Sequence, residues 1–184
     1  MASNQHVKSI LSFWFEVSTP TQWYKKDAEF DAAISGQFGA LIERGLNGQL
    51  DDWAAEPDGC LALIILLDQF TRNVFRDTPR AFAGDEIALA LSLKAHKSGW
   101  IDADPDMARR QFYLMPMMHA EDLDVQDASL ELFERLTNEH THHYAILHRD
   151  IIARFGHFPH RNAILGRPST DEEISFLQEP NSSF

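Results

Sequence analysis

Cysteine is nearly absent from this chain of 184 residues, where Cys60 stands alone. An intrachain disulfide is therefore impossible, and a zinc site built from several cysteines is excluded. Placed at the head of an apolar run, Cys60 reads as a small buried hydrophobe. Long apolar runs are missing too. The strongest, CLALIILL over residues 60–67, is far too short to cross a bilayer, and no membrane partner is expected. The amino terminus, MASNQHVKS, lacks the basic and then apolar pattern of a signal peptide, which makes a cytoplasmic location the default. Positive charge is scarce: 16 Lys and Arg face 28 Asp and Glu, for a net charge of −12. Such a field repels a phosphate backbone, so nucleic acid is not an expected partner. Glycine-rich phosphate loops, the dinucleotide-binding fingerprint, the nucleophile elbow and HExxH are all absent, so neither a cofactor nor a metal is expected.

What is present is apolar, aromatic and helical in its spacing. The hydrophobic fraction is 44%, with thirteen Phe and four Trp, enough for one substantial aromatic core. The length suits a single domain, 1–184, with 179–184 as a C-terminal tail. Phe30, Ile34, Phe38, Leu41 and Ile42 recur three or four apart, as one helix face requires, in a helix starting near Asp27. Residues 58–75 read as a central helix, apolar on all sides at first and polar at its end. A helix opened by Thr78 and Pro79 is expected to run to Ser98 with Phe82, Leu89 and Leu93 inward. Pro116 predicts a kink or an end. Two helices, or one long one, cover 123–155, and Thr170 with Glu173 forms a capping box for a short last helix. The periodicity predicts an all-α fold: an irregular array of seven or eight antiparallel helices in stacked helical hairpins.

Three polar clusters interrupt this pattern. In DQFTRN, Asp68 and Arg72 lie four apart and can meet on one helix face, with Gln69 and Asn73 as a second such pair. Polar groups that close an apolar run must be paired or hydrogen-bonded if buried. They read either as a structural ion pair or as a ligand-facing cluster. His119, Glu121 and Asp122 follow the proline-containing YLMPMM segment, where a histidine beside carboxylates can shuttle a proton. The alternative is that Glu121 and Asp122 simply open the next helix. A dense histidine tract, with His140, His142, His143 and His148, could bind transition metals opportunistically, but a polar helix face is the simpler reading of His140, His142 and His143. RFGHFPHRN is different, because Arg154, His157, His160 and Arg161 gather around Gly and Pro turns. In an acidic chain this is the best local anion site, unless its arginines are consumed by Asp68 or Glu121.

LSFWFEV, WYKKDAEFD, GCLALIILLDQFTRNVFRDTPRAFAGD, YLMPMMHAEDLDVQ and IIARFGHFPHRNAILGRPSTDEEISFL together resemble the bacterial family catalogued as domain of unknown function 924. The resemblance implies a helical fold similar to tetratricopeptide-repeat proteins, with a degenerate repeat. It implies no activity, substrate or cofactor. The family's characteristic segments correspond here to Asp68, Gln69, Arg72 and Asn73, to His119, Glu121 and Asp122, and to residues 154–162. Thr71 and His157 stand where Pro and Arg are common in the family.

The leading expectation is a helical domain binding a small anionic molecule or a peptide carboxylate. Arg72, Arg154 and Arg161 would hold the anion, with Asp68, Gln69, Asn73 and Asn162 in the same pocket and Trp14, Trp23 or Phe158 as an apolar wall. The alternative is an enzyme, a hydrolase or transferase on a phosphorylated or carboxylated compound, with His119 or His160 as acid or base and Glu121 or Asp68 orienting it; a metal-assisted version would add His119 and Glu121 as ligands. A scaffold for a protein partner is the third class.

Overall fold

Residues 2–183 are described by a computed structural model, and every regular element among them is helical. Phe184, the last residue of the expected tail, lies outside the described residues. Helix α1, Ala2–Ser12, widens into a π-turn over Phe13–Val17, and α2 (Pro20–Tyr24) and α3 (Ala28–Leu46) follow. Asp27 caps α3 by accepting from the N–H groups of Glu29 and Phe30. Phe30, Ile34, Phe38, Leu41 and Ile42 are all buried, the face their spacing predicts.

The chain then runs without a break through α4 (Pro57–Ile64), a π-turn (Ile65–Phe70) and α5 (Thr71–Val74). Cys60 to Phe70 are buried without exception, because this run packs on α1, on α3 and on two later helices at once. The π-turn breaks the regular hydrogen-bond ladder. The Thr71 hydroxyl donates to the Leu67 carbonyl at 2.7 Å there. A single wide turn of this kind rotates the following side chains relative to the apolar stretch, and such turns are frequent at functional sites.

One expectation fails beyond this point. Pro79 opens only a 3₁₀ turn, Pro79–Phe82, and the true helix, α6, starts at Asp85 and ends at Lys97. Its inward stripe is Ala88, Leu91, Ser92 and Ala95, while Leu93 is 43% exposed and Phe82 half-buried. Gly84, which precedes this helix, lies so close to the central run that a Cβ there would sit 2.2 Å from the Leu67 carbonyl oxygen.

Helices α7 (Trp100–Ala103), α8 (Met107–Met118), α9 (Leu123–Leu136) and α10 (Glu139–Phe155) complete the main body. Asp106, Asp122 and Asn138 cap the last three, so 123–155 is two helices and not one. Pro116 is carried within the last turn of α8, which ends two residues later. A 3₁₀ turn (Pro159–Arg161), α11 (Asn162–Leu165) and α12 (Asp171–Phe176) form a C-terminal strap over a small second core of Ile151, Ile152, Phe158 and Phe176. Seven helices have eight or more residues, and the others are short turns that periodicity does not resolve. Among the described residues no helix is long and apolar enough to cross a membrane. Gly84→Ala is expected to destabilise the fold by about 1–3 kcal/mol, read as a lower urea midpoint at constant slope. An unchanged midpoint would show that the approach to Leu67 is not tight.

Candidate functional site

Asp68 is the anchor of the polar centre. Its side chain is wholly buried at the end of the π-turn, yet three side chains reach it. Gln69 Nε2 donates to Oδ2 at 2.5 Å, while Arg72 Nη1 lies 3.2 Å and His119 Nδ1 2.7 Å from Oδ1. Burial by itself would raise the carboxyl's pKa. His119, through its hydrogen bond and through its charge whenever the ring is protonated, then the Arg72 charge and the Gln69 hydrogen bond outweigh it and hold the group below the ordinary carboxylate range.

Arg72 also donates to the Asp68 carbonyl oxygen at 2.7 Å and grips Asp85, the first residue of α6, with both terminal nitrogens at 2.8 and 3.0 Å. A second guanidinium meets the same carboxylate. Arg161 Nη1 is 3.2 Å from Asp85 Oδ2, and its Nη2 donates to the backbone carbonyl of His119 at 3.2 Å. Phe158 and Phe82 flank the Arg161 guanidinium, with ring centroids 4.5 and 4.7 Å away. Burial first, and the nearby Arg72 charge second, lower its pKa to about 10. It is still fully charged near neutrality. Its Nε is buried and has no acceptor among the described residues.

His119 sits where α8 ends, with 13% of its side chain exposed. Burial is the main force on its ring, and it lowers the pKa despite the nearby Asp68. A neutral ring that donates through Nδ1 to Asp68 leaves a lone pair on Nε2. The His148 ring lies 6.2 Å from that of His119, and His148 Nδ1 is 2.8 Å from the Tyr144 carbonyl oxygen. Burial brings His148 down to about 3, and His160 to about 4. Among the described residues no three His, Cys, Asp or Glu are placed to hold a metal ion.

Other expected site residues lie apart from this centre. Glu121 does not touch His119; it accepts from the Phe158 N–H at 2.9 Å and from Arg167 at 2.7 and 2.9 Å, which fixes the turn that carries Arg161. Asn162 belongs to the same knot, bonded to Arg167 and Ser169. Asn73 donates to Asp31, a carboxylate also bound by Arg76. Arg154 is 44% exposed, pairs with Glu172 and covers Phe155 and Phe176. Trp14 and Trp23 stack on each other in the aromatic core with Phe30 and Phe112, and only Phe158 of the expected wall touches the arginines. Two surface hollows, of about 260 and 410 Å³, lie elsewhere, one beside Leu93 and Leu132 and the other beside Trp100 and Arg109.

The family model for bacterial proteins of unknown function (DUF924) matches residues 10–181. The chain belongs to the DUF924 family. A solved structure of a protein of unknown function from Agrobacterium tumefaciens is 36% identical to it, with a TM-score of 0.90 over 96% of this chain and 98% of that one. None of the curated proteins compared matches.

Asp85, Phe82, His148 and Arg167 are the partners in this DUF924 chain that sequence reasoning missed. Asp85 has the look of an ordinary first-turn acid that complements the helix dipole. His148 was hidden in the same tract as the histidines read as a polar face.

The buried histidines give the protein a pH signature. His148 is neutral in the fold well below the pH at which the unfolded chain protonates, so the stability it contributes is complete above about pH 6.5 and is lost as pH falls toward its folded value of about 3. Unfolding free energy is expected to drop by up to about 1.4 kcal/mol per pH unit for this residue across that interval. Chemical denaturation of wild type and His148→Gln from about pH 7 to 4 checks it, since the variant lacks this part of the slope. Parallel profiles would contradict the assignment.

Proposed function

We propose that the cluster of Arg72, Arg161 and His119 is a binding site for a small anionic molecule or for the carboxylate of a peptide. The observation that supports this most is the meeting of two guanidiniums at one partly exposed carboxylate oxygen, Asp85 Oδ2, at 3.0 and 3.2 Å. Like charges brought that close make a fork that a carboxylate or phosphate oxygen can share with Asp85 or take over from it. The Nε donor of Arg161, which has no partner among the described residues, adds hydrogen-bonding capacity beside the fork. Entry is across the rim formed by Arg72, Asp85 and His119, each between 13% and 21% exposed. Arg154, Asn73 and Asn162 take no direct part in this reading, whereas Asp68 and Gln69 hold His119 and Arg72 in place.

The finer description of the fold belongs to the same proposal. The consecutive packing of α8 on α9 and of α9 on α10 supports stacked, tetratricopeptide-like helical hairpins, an arrangement suited to presenting a concave surface. A cytoplasmic setting suits the single buried thiol of Cys60.

A second reading, an enzyme acting on a phosphorylated or carboxylated compound, is favoured by one contact. Asp68 orients His119 at 2.7 Å much as a carboxylate orients a catalytic base, and His119 would take a proton from water or a substrate hydroxyl beside the bound anion. His160, lowered to about 4, is available only as a base near neutrality.

A ligand present at a hundredfold excess over its dissociation constant stabilises the native state by about 2.7 kcal/mol, a rise of about 5–10 °C in Tm for a chain of this size. A library of phosphorylated metabolites, dicarboxylates and acidic peptides is expected to contain such stabilisers. Arg161→Ala, read against its own baseline, is expected to lose the rise. A library without any stabiliser would move the weight to a scaffold for a protein partner. For the second reading, Asp68→Asn is expected to slow turnover of the same ligand by about 10²-fold or more, measured at saturating ligand so that weaker binding does not enter. Turnover unaffected by that change would remove His119 from the chemistry.

A further inference from the structure

The charges around His119 balance as they stand. From the central run come Asp68, Gln69 and Arg72; α6 supplies Asp85; the 3₁₀ turn supplies His160 and Arg161; α10 supplies His148. Two carboxylates thus face two guanidiniums, and Glu121, two residues beyond His119, is matched by Arg167. The site has no surplus positive charge to offer an anion, and the chain around it carries a net charge of −12. One group at the rim can change this: His119, 13% exposed, whose Nδ1 is already committed to a fully buried carboxylate, so that a further proton goes to Nε2.

Resting on the anion-site reading, we infer that the anion enters together with one proton, taken from solvent onto His119 Nε2. The ring becomes an imidazolium that donates through Nδ1 to Asp68 and through Nε2 to the ligand, so that each added negative charge meets a new positive one. No covalent bond forms or breaks apart from the new N–H. The histidines beside it do not substitute, because burial holds His148 at about 3 and His160 at about 4, below the range in which the coupling acts. The site therefore selects anions that can accept a hydrogen bond from an imidazolium, and it holds them more tightly as pH falls. By linkage the affinity rises by up to about tenfold per pH unit between the pKa of His119 in the complex and its lower value in the free protein.

Sulfate is the probe, because it stays fully ionised throughout and any proton uptake belongs to the protein. Calorimetric titration near pH 6 and near pH 8, each in two buffers of different ionisation enthalpy, is expected to give tighter binding at the lower pH with up to about one proton absorbed per sulfate. His119→Gln is expected to bind more weakly, with no pH dependence and no proton uptake. Sulfate binding of equal strength at both pH values, without proton uptake, would overturn this inference and leave the anion site standing. Uptake that persists in His119→Gln would place the proton elsewhere and overturn it as well. No binding at either pH would overturn the anion site and the inference together. The wild-type titrations alone can overturn the inference even if the variant does not fold.

Discussion

A carboxylate with no exposure to water stays charged only if its surroundings replace the solvent, and Asp68 imposes that condition on this fold. Gln69 and Arg72 come from its own helical run, and His119 is brought to it by the end of α8. Arg72 in turn requires Asp85, which fixes the start of α6, and Asp85 draws in Arg161 from the C-terminal strap. A single buried charge thus ties four separate stretches of chain to one point. The apolar core around Cys60–Phe70 gives the stability, whereas this network dictates how the pieces meet.

The strap has a part in this that its small core does not suggest. Phe158 donates its N–H to Glu121 and presses its ring on Arg161, while Arg167 binds Glu121 from the other side. Glu121 therefore positions the second arginine without touching His119. Because Ile151, Ile152, Phe158 and Phe176 form a cluster separate from the main core, the half of the site that comes from the strap rests on fewer buried contacts.

The long helices and the Asp68–Arg72 pair were legible because both follow from spacing along one chain segment. The α3 face and the cap at Asp27 come straight from local chemistry. What escaped depends on contacts between distant segments. Gly84 reads as an ordinary small residue until its approach to the Leu67 carbonyl is seen, and the helix that follows it leaves Leu93 43% exposed. Arg154 and Arg161 are indistinguishable as sequence, yet one ends a helix on its exposed side against Glu172 and the other is carried inward by the turn at Pro159. His148 lies in the same tract as the polar-face histidines, yet its own position faces Tyr144 and Phe158.

The site depends on an ionised Asp68 beside a neutral His119 whose Nδ1 carries the proton, with the lone pair on Nε2. Long-range ¹H–¹⁵N correlation of the imidazole nitrogens near neutral pH, with His119 assigned by its absence in His119→Gln, reads this state directly. The account predicts a pyrrole-like Nδ1 and a pyridine-like Nε2. A doubly protonated ring, or a proton on Nε2 alone, would contradict it.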